Sequence, residues 1–220
     1  MMQWHDVEQN TEVWNELRTG KVTASQFHCF MANQGKAFGE SAKKYALQIA
    51  LEIIKKKKSE HVYSNAHMQR GHEQEPMARM LYEIKEDVDV TNGGFFDLGD
   101  YGDSPDGLVG SDGVIEIKSV TAPVHFATLE RESFDPAYKW QLIGHLDCTG
   151  RDWVDFVSYC SDFPEQYSPL IVYRLERKDC EAEITQLRTR RQDFLNLIDW
   201  TMGRIKRKET QDEYSNINFR

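Results

Sequence analysis

The chain has 220 residues, 40% hydrophobic and 29% charged, which is the make-up of an ordinary folded domain long enough to bury a core. No apolar run approaches the roughly 20 residues that span a bilayer, and the polar start MMQWHDVEQN is no signal peptide, so a cytoplasmic location and no membrane partner are expected. The net charge of -9 runs against a phosphate-binding surface, although metal sites concentrate acids and bound cations invert the local charge.

In chain order, residues 7–18 read as a helix ending at Gly20, and Thr23 as the cap of a second helix over 24–33. A third helix is predicted over 41–57, with apolar residues at 42, 46, 49, 50, 53 and 54. A fourth covers 65–86, where Pro76 fits badly unless it starts a turn. The pattern then shifts to Gly, Asp and β-branched residues, giving strands at 94–98, 105–109 and 113–119 separated by DSPDG and GSDG turns. Asp135 and Pro136 open a helix over 136–148. Strands at 152–160 and 169–176 and an amphipathic helix over 181–206 follow. Residues 1–208 read as one domain and 209–220 as a frayed polar tail. The fold class expected is α/β (α+β), with a small mixed or mostly antiparallel central sheet flanked by helices.

The basic residues cluster at Lys55 to Lys58 and at Arg188, Arg190, Arg191, Arg204, Lys206, Arg207 and Lys208. A solvated helix end accounts for the first group, and the second can line a positive track. Cys29, Cys148, Cys160 and Cys180 have neither C-x-x-C pairing nor zinc spacing, and are expected as buried thiols in a reducing compartment.

The chemistry concentrates in Ser104-Pro105-Asp106-Gly107 and Ile115-Glu116-Ile117-Lys118. Glu116 and Lys118 are two apart on one strand and share a face, while Ile115 and Ile117 point into the core. A hairpin would bring Asp106 beside Glu116. Two hard carboxylates and the Ile117 carbonyl suit Mg²⁺, and a lysine beside them can orient or deprotonate water and offset transition-state charge. That combination points to phosphodiester hydrolysis. The competing reading is a hairpin with polar surface residues, which the apolar setting of V-I-E-I-K-S-V disfavours, since unpartnered buried charges are costly.

The Asp, Glu-x-Lys pattern resembles that of the PD-(D/E)XK nuclease superfamily, with its restriction-endonuclease-like core. Within it, the chain is similar to the lambda-exonuclease-like, YqaJ-like viral recombinases. L-R-T-G-K-V-T-A-S (17–25), R-G-H-E-Q-E-P-M-A-R (70–79), S-P-D-G (104–107), E-I-K (116–118) and A-Y-K-W-Q (137–141) match that family's blocks in order. The resemblance implies Mg²⁺ (Mn²⁺ as a substitute) on Asp106, Glu116 and the Ile117 carbonyl, with Glu75 reaching the metal region. It implies that Lys118 handles the attacking water and Gln141 helps place it. It implies a 5′-phosphate pocket from Arg18, Ser25 and Ser104, a guanidinium and two hydroxyls suited to an anion. The implied activity is 5′→3′ digestion of one strand of linear double-stranded DNA with 5′-phosphorylated ends, leaving a 3′ single-stranded tail. A homotrimer ring and a single-strand annealing protein are the implied partners. No site residue is carried over within 119–134.

Two other functions fit the same residues: an endonuclease on the same core, and a non-catalytic DNA-binding scaffold. Arg18 and Ser25 disfavour the first, and intact Asp106, Glu116 and Lys118 the second. His67 and His72 lie off a common helix face and read as ordinary helix residues. His145, four after Gln141, shares its face and can approach the site. The five tryptophans read as core, and Gly93-Gly94 as a turn.

Overall fold

The computed structural model describes the backbone of residues 2–32, 36–59 and 66–217, and their side chains except at 66–69, 72, 165 and 207–217. His67, His72, Arg207 and Lys208 therefore lie outside the described side chains.

Strand β1 (Gln3–His5) is followed by helix α1 (Glu12–Arg18). The helix starts later than predicted because Asn10 adopts a left-handed φ of 65° and Thr11 takes the cap, its Oγ1 accepting from the Trp14 amide. After β2 (Val22–Thr23), the predicted helix over 24–33 divides into a 3-10 turn at Ala24–Gln26 and α2 (His28–Met31), and the Thr23 side chain makes no capping bond. Helix α3 (Glu40–Lys55) ends on Lys56 in the left-handed region. Helix α4 (Ala66–Glu86) runs through Pro76 without the turn anticipated there. Pro76 lies on the exposed side, where solvent can satisfy the carbonyl its missing amide strands.

Five strands follow: β3 (Val90–Thr91), β4 (Phe95–Asp97), β5 (Tyr101–Asp103), β6 (Gly107–Val109) and β7 (Gly113–Ser119). Helix α5 (Ala122–Arg131) fills a stretch to which no element was assigned. Asp135 caps a 3-10 turn at Pro136–Tyr138 that leads into α6 (Lys139–Thr149). Strands β8 (Trp153–Tyr159) and β9 (Leu170–Glu176) precede α7 (Glu181–Ile217). The helix continues well past residue 206, into the stretch expected to fray.

The strands form two mixed sheets rather than one. The first has the order β1-β4-β5-β2, and the second β3-β6-β7-β8-β9 with β7 and β8 parallel. The second sheet is covered on both faces. Helix α4 lays Ala78 and Tyr82 on Ile115, Ile117, Val157 and Tyr159. On the opposite face Val114, Val154 and Phe156 join a larger core with Leu142 and Leu146 of α6, Ile184 and Leu187 of α7, and Ile49 of α3. Glu116 shares the Val114 face, so the strand that carries it presents its carboxylate under α6 rather than to solvent.

Four residues of the two basic clusters are bound into the fold, three of them from the seven that suggested a positive track. Arg188 and Arg191 both pair with Asp147 at 2.6 Å. Arg190 donates to the carbonyls of Phe30 and Lys36. Lys58 pairs with the fully buried Glu52. All four cysteines are free thiols, three of them buried and Cys29 partly exposed. Trp4 and Trp200 are exposed rather than core. Among the described residues no helix is long and apolar enough to cross a membrane.

Candidate active site

The hairpin expected from the sequence is present. Strands β6 and β7 pair antiparallel with Gly107 opposite Ile115 and Val109 opposite Gly113. That register sets Asp106, one residue before β6, against Glu116. Its amide donates to the Ile115 carbonyl at 3.2 Å, and its Oδ2 accepts from the Ile117 amide at 2.7 Å. Asp106 is thus locked to the same backbone segment whose carbonyl was predicted as a ligand.

The turn that carries Asp106 is held from outside. Trp14 Nε1 donates to Ser104 Oγ at 2.8 Å, and Gln9 Nε2 donates to the Pro105 carbonyl at 3.1 Å. Gly93 packs so closely that a Cβ there would stand 1.8 Å from the Pro105 oxygen. The Gly93-Gly94 turn is therefore a structural rest for the motif.

Glu116 is 2% exposed. Its Oε1 accepts from Lys118 Nζ and, at 2.6 Å, from Gln141 Nε2 of α6. Its Oε2 lies 2.8 Å from His145 Nε2. Burial alone would raise its pKa, but Lys118 and His145 outweigh it and hold the carboxyl well below the usual range. Burial, Glu116 and Glu75 together push Asp106 well above the ordinary carboxylate value. Lys118 is raised despite burial, because Glu116 and Asp106 favour its charged form. His145 is raised to about 10, since the pull of Asp103 and Glu116 exceeds the burial cost.

Glu75, Asp106, Ile117 and Lys118 line one opening together with Gln9, Gly71 and Ser119. The donor set suits a hard divalent cation: carboxylates crowd together, with a backbone carbonyl alongside. Among the described residues no group of three or more His, Cys, Asp or Glu is placed to hold a metal ion. Mg²⁺, which is commonly held by one or two carboxylates while keeping several waters, asks for no such group.

The second predicted constellation is spread around Trp14. The Arg18 guanidinium lies 4.0 Å from the centre of the Trp14 ring, and the same indole holds Ser104. Arg18 Nε is buried with no hydrogen-bond partner among the described residues. Ser25, in the 3-10 turn after β2, has its Oγ 3.4 Å from Thr23 Oγ1. Arg18 and Ser104 are thus joined through one side chain, while Ser25 sits apart from that side chain in the 3-10 turn after β2.

Sequence reasoning missed Asp103, the residue against the far side of His145. It also missed Trp14 and Gln9 as supports, since each acts on a partner some 90 positions away. The W-x-x-x-R spacing of Trp14 and Arg18, one helical turn, is the one signal that pointed to the first of these.

Fold and site together define an enzyme of the DNA nuclease class. The model of the YqaJ-like viral recombinase domain matches residues 13–152. The chain is similar to the crystal structure of an alkaline exonuclease (LHK-Exo) from Laribacter hongkongensis, with 35% identity and a TM-score of 0.81 over 91% of this chain and 99% of that one. The complex of LHK-Exo with dAMP matches equally well. A phage-related exonuclease from Haemophilus somnus, at 16% identity and a TM-score of 0.63, covers 84% of this chain and 96% of its own and shares the fold. No curated protein sequence matches. The chain belongs to the YqaJ-like viral recombinase family.

Proposed function

We propose that this nuclease is a Mg²⁺-dependent exonuclease that digests one strand of linear double-stranded DNA from its 5′-phosphorylated end and leaves a 3′ single-stranded tail. The observation that supports it most is the gathering of Asp106, Glu116 and Lys118 where the start of β6 meets the middle of β7.

Asp106, Glu116 and the Ile117 carbonyl would hold the cation, with Glu75 on the rim of the same opening. When bound, Mg²⁺ (or Mn²⁺ in its place) supplies Lewis acidity toward the scissile phosphate and lowers the pKa of water. The chain's own residues do the rest. Lys118, kept charged by its two carboxylate neighbours, donates hydrogen bonds to the attacking water and to the developing phosphoryl charge. Gln141 donates to Glu116 and fixes how far that carboxylate can turn. A water and a phosphate held in the opening lined by Glu75, Asp106 and Lys118 would lie within reach of one another.

Strand polarity follows from Arg18. A buried guanidinium nitrogen without a partner is costly unless an anion completes it. A terminal 5′-phosphate resting on Arg18, Ser104 and Ser25 would do so, and would set the first phosphodiester in line with Asp106. The same reading extends to PD-(D/E)XK chemistry, to a ring of three chains inside the host cell, and to work beside a single-strand annealing protein.

The test uses linear duplexes labelled at the 5′ or 3′ end, with 5′-phosphate or 5′-hydroxyl termini, plus closed circles, each with Mg²⁺ or EDTA. Loss of the 5′ label first, faster on phosphorylated ends and abolished by EDTA, is expected. Cutting of closed circles would instead indicate an endonuclease. Light scattering checks the ring, which requires a mass about three times the 25.6 kDa chain.

A further inference from the structure

His145 is fully buried on α6 with a carboxylate on each side of its ring. Nδ1 lies 2.8 Å from Asp103 Oδ2, and Nε2 2.8 Å from Glu116 Oε2. An ionised carboxylate only accepts, so both ring nitrogens donate. The three residues come from three elements in different layers: Asp103 ends β5 in the four-stranded sheet, Glu116 is in β7 of the five-stranded sheet, and α6 packs on both. Asp103 directly precedes Ser104, so the contact also ties the turn bearing Asp106 to the strand bearing Glu116.

The ring has little room to drift. Gly144 brings α6 so close to Phe27 and Ala24 that a Cβ there would stand 2.8–3.0 Å from their side chains, and Thr149 Oγ1 donates to the His145 carbonyl at 2.7 Å. With Oε2 engaged by His145, Glu116 turns Oε1 toward Lys118 and Gln141, and Lys118 lines the same opening as Asp106.

We propose that His145, anchored by Asp103, is a positioning residue that fixes the Glu116 carboxylate in the orientation that receives the cation. The inference rests on the metal-dependent reading above. A partner that orients a metal-binding group is typically worth about 10- to 100-fold in metal affinity. His145 touches neither substrate nor cation in this account and acts through Glu116 alone.

The two ring nitrogens can be separated by substitution. In His145→Asn the side-chain amide occupies the Nδ1 place and keeps only the Asp103 bond. In His145→Gln it reaches the Nε2 place and keeps the Glu116 bond. Calorimetric titration of Mn²⁺ into the DNA-free protein, alongside thermal melting of each variant, reads the difference. His145→Asn is expected to bind Mn²⁺ about 10- to 100-fold more weakly than wild type, with His145→Gln recovering most of the loss. If His145→Asn does not fold, Asp103→Asn, which keeps the side-chain shape, is expected to lower Mn²⁺ affinity in the same direction. Wild-type affinity in His145→Asn, or equal loss in both His145 variants, overturns the positioning role alone. No Mn²⁺ uptake by wild type overturns the metal reading and this inference with it.

Discussion

Gly93 and Pro105 touch with no space between them: a Cβ on Gly93 would lie 1.8 Å from the Pro105 carbonyl oxygen. Pro105 immediately precedes Asp106, so Gly93→Ala must push the S-P-D-G turn away from its rest. Overpacking of this kind costs about 1–3 kcal/mol. Activity is expected to fall further than stability, because Asp106 leaves its bond to the Ile117 amide. Urea unfolding and duplex digestion on the same preparation compare the two. A variant as active as wild type would show that the turn tolerates displacement.

Trp14 carries Arg18 on its face and Ser104 on its indole nitrogen. Trp14→Phe keeps a ring beneath the guanidinium and removes the donor to Ser104. One hydrogen bond is worth about 1 kcal/mol, or roughly fivefold in rate. The preference for 5′-phosphate over 5′-hydroxyl ends is expected to shrink about fivefold, with the rate on hydroxyl ends unchanged. An equal fall on both ends would place Trp14 outside the phosphate pocket.

The core of the site was legible in the sequence because its geometry is local. Glu116 and Lys118 are fixed by strand alternation, and Asp106 by a short antiparallel turn. Strands β2 and β3, two residues each, are too short to show alternation, and their partners lie 79 positions on for β2 and 17 to 19 for β3. Helix α5 was missed because its two buried residues, His125 and Thr128, are polar: His125 has Nδ1 2.9 Å from Ser158 Oγ and Nε2 3.1 Å from the Ser168 carbonyl. A hydrophobic-periodicity reading has no signal for that. Asp103 looked like part of a polar turn because its partner His145 stands 42 residues away. The separate four-stranded sheet escaped notice for a similar reason: of its strands only β4 was predicted, and β1, β2 and β5 are two or three residues long.

Glu52 provides a pH test remote from the site. It is fully buried and accepts from the amides of Gly20 and Ser59, from Gln48 and from Lys58. Burial would raise its pKa, but the Gly20 bond, Gln48 and Lys58 outweigh that and leave it lowered. A carboxyl lowered in the folded state contributes stability that is present above its unfolded value of about 4.3 and is lost as pH falls toward its folded value. Wild-type melting temperature is expected to drop below about pH 4.3, and Glu52→Gln to lose part of that dependence. Parallel wild-type and variant curves would remove Glu52 from the acid response.

Asp147 separates a buried ion pair from an exposed one. Its partner Arg191 has a side chain 6% exposed, whereas Arg188 is 56% exposed. Asp147→Ala strands the Arg191 charge and is expected to cost about 3 kcal/mol. Arg188→Ala is expected to cost under about 1 kcal/mol. Denaturant midpoints check both, and similar losses would mean that exposure does not govern these pairs.

The most direct test of the whole account is the rate at which Asp106→Ala digests a 5′-phosphorylated duplex at saturating Mg²⁺, with end binding followed by fluorescence anisotropy in the same samples. The account predicts DNA-end binding close to wild type with hydrolysis at the no-enzyme background. Hydrolysis at the wild-type rate by the folded variant would contradict it.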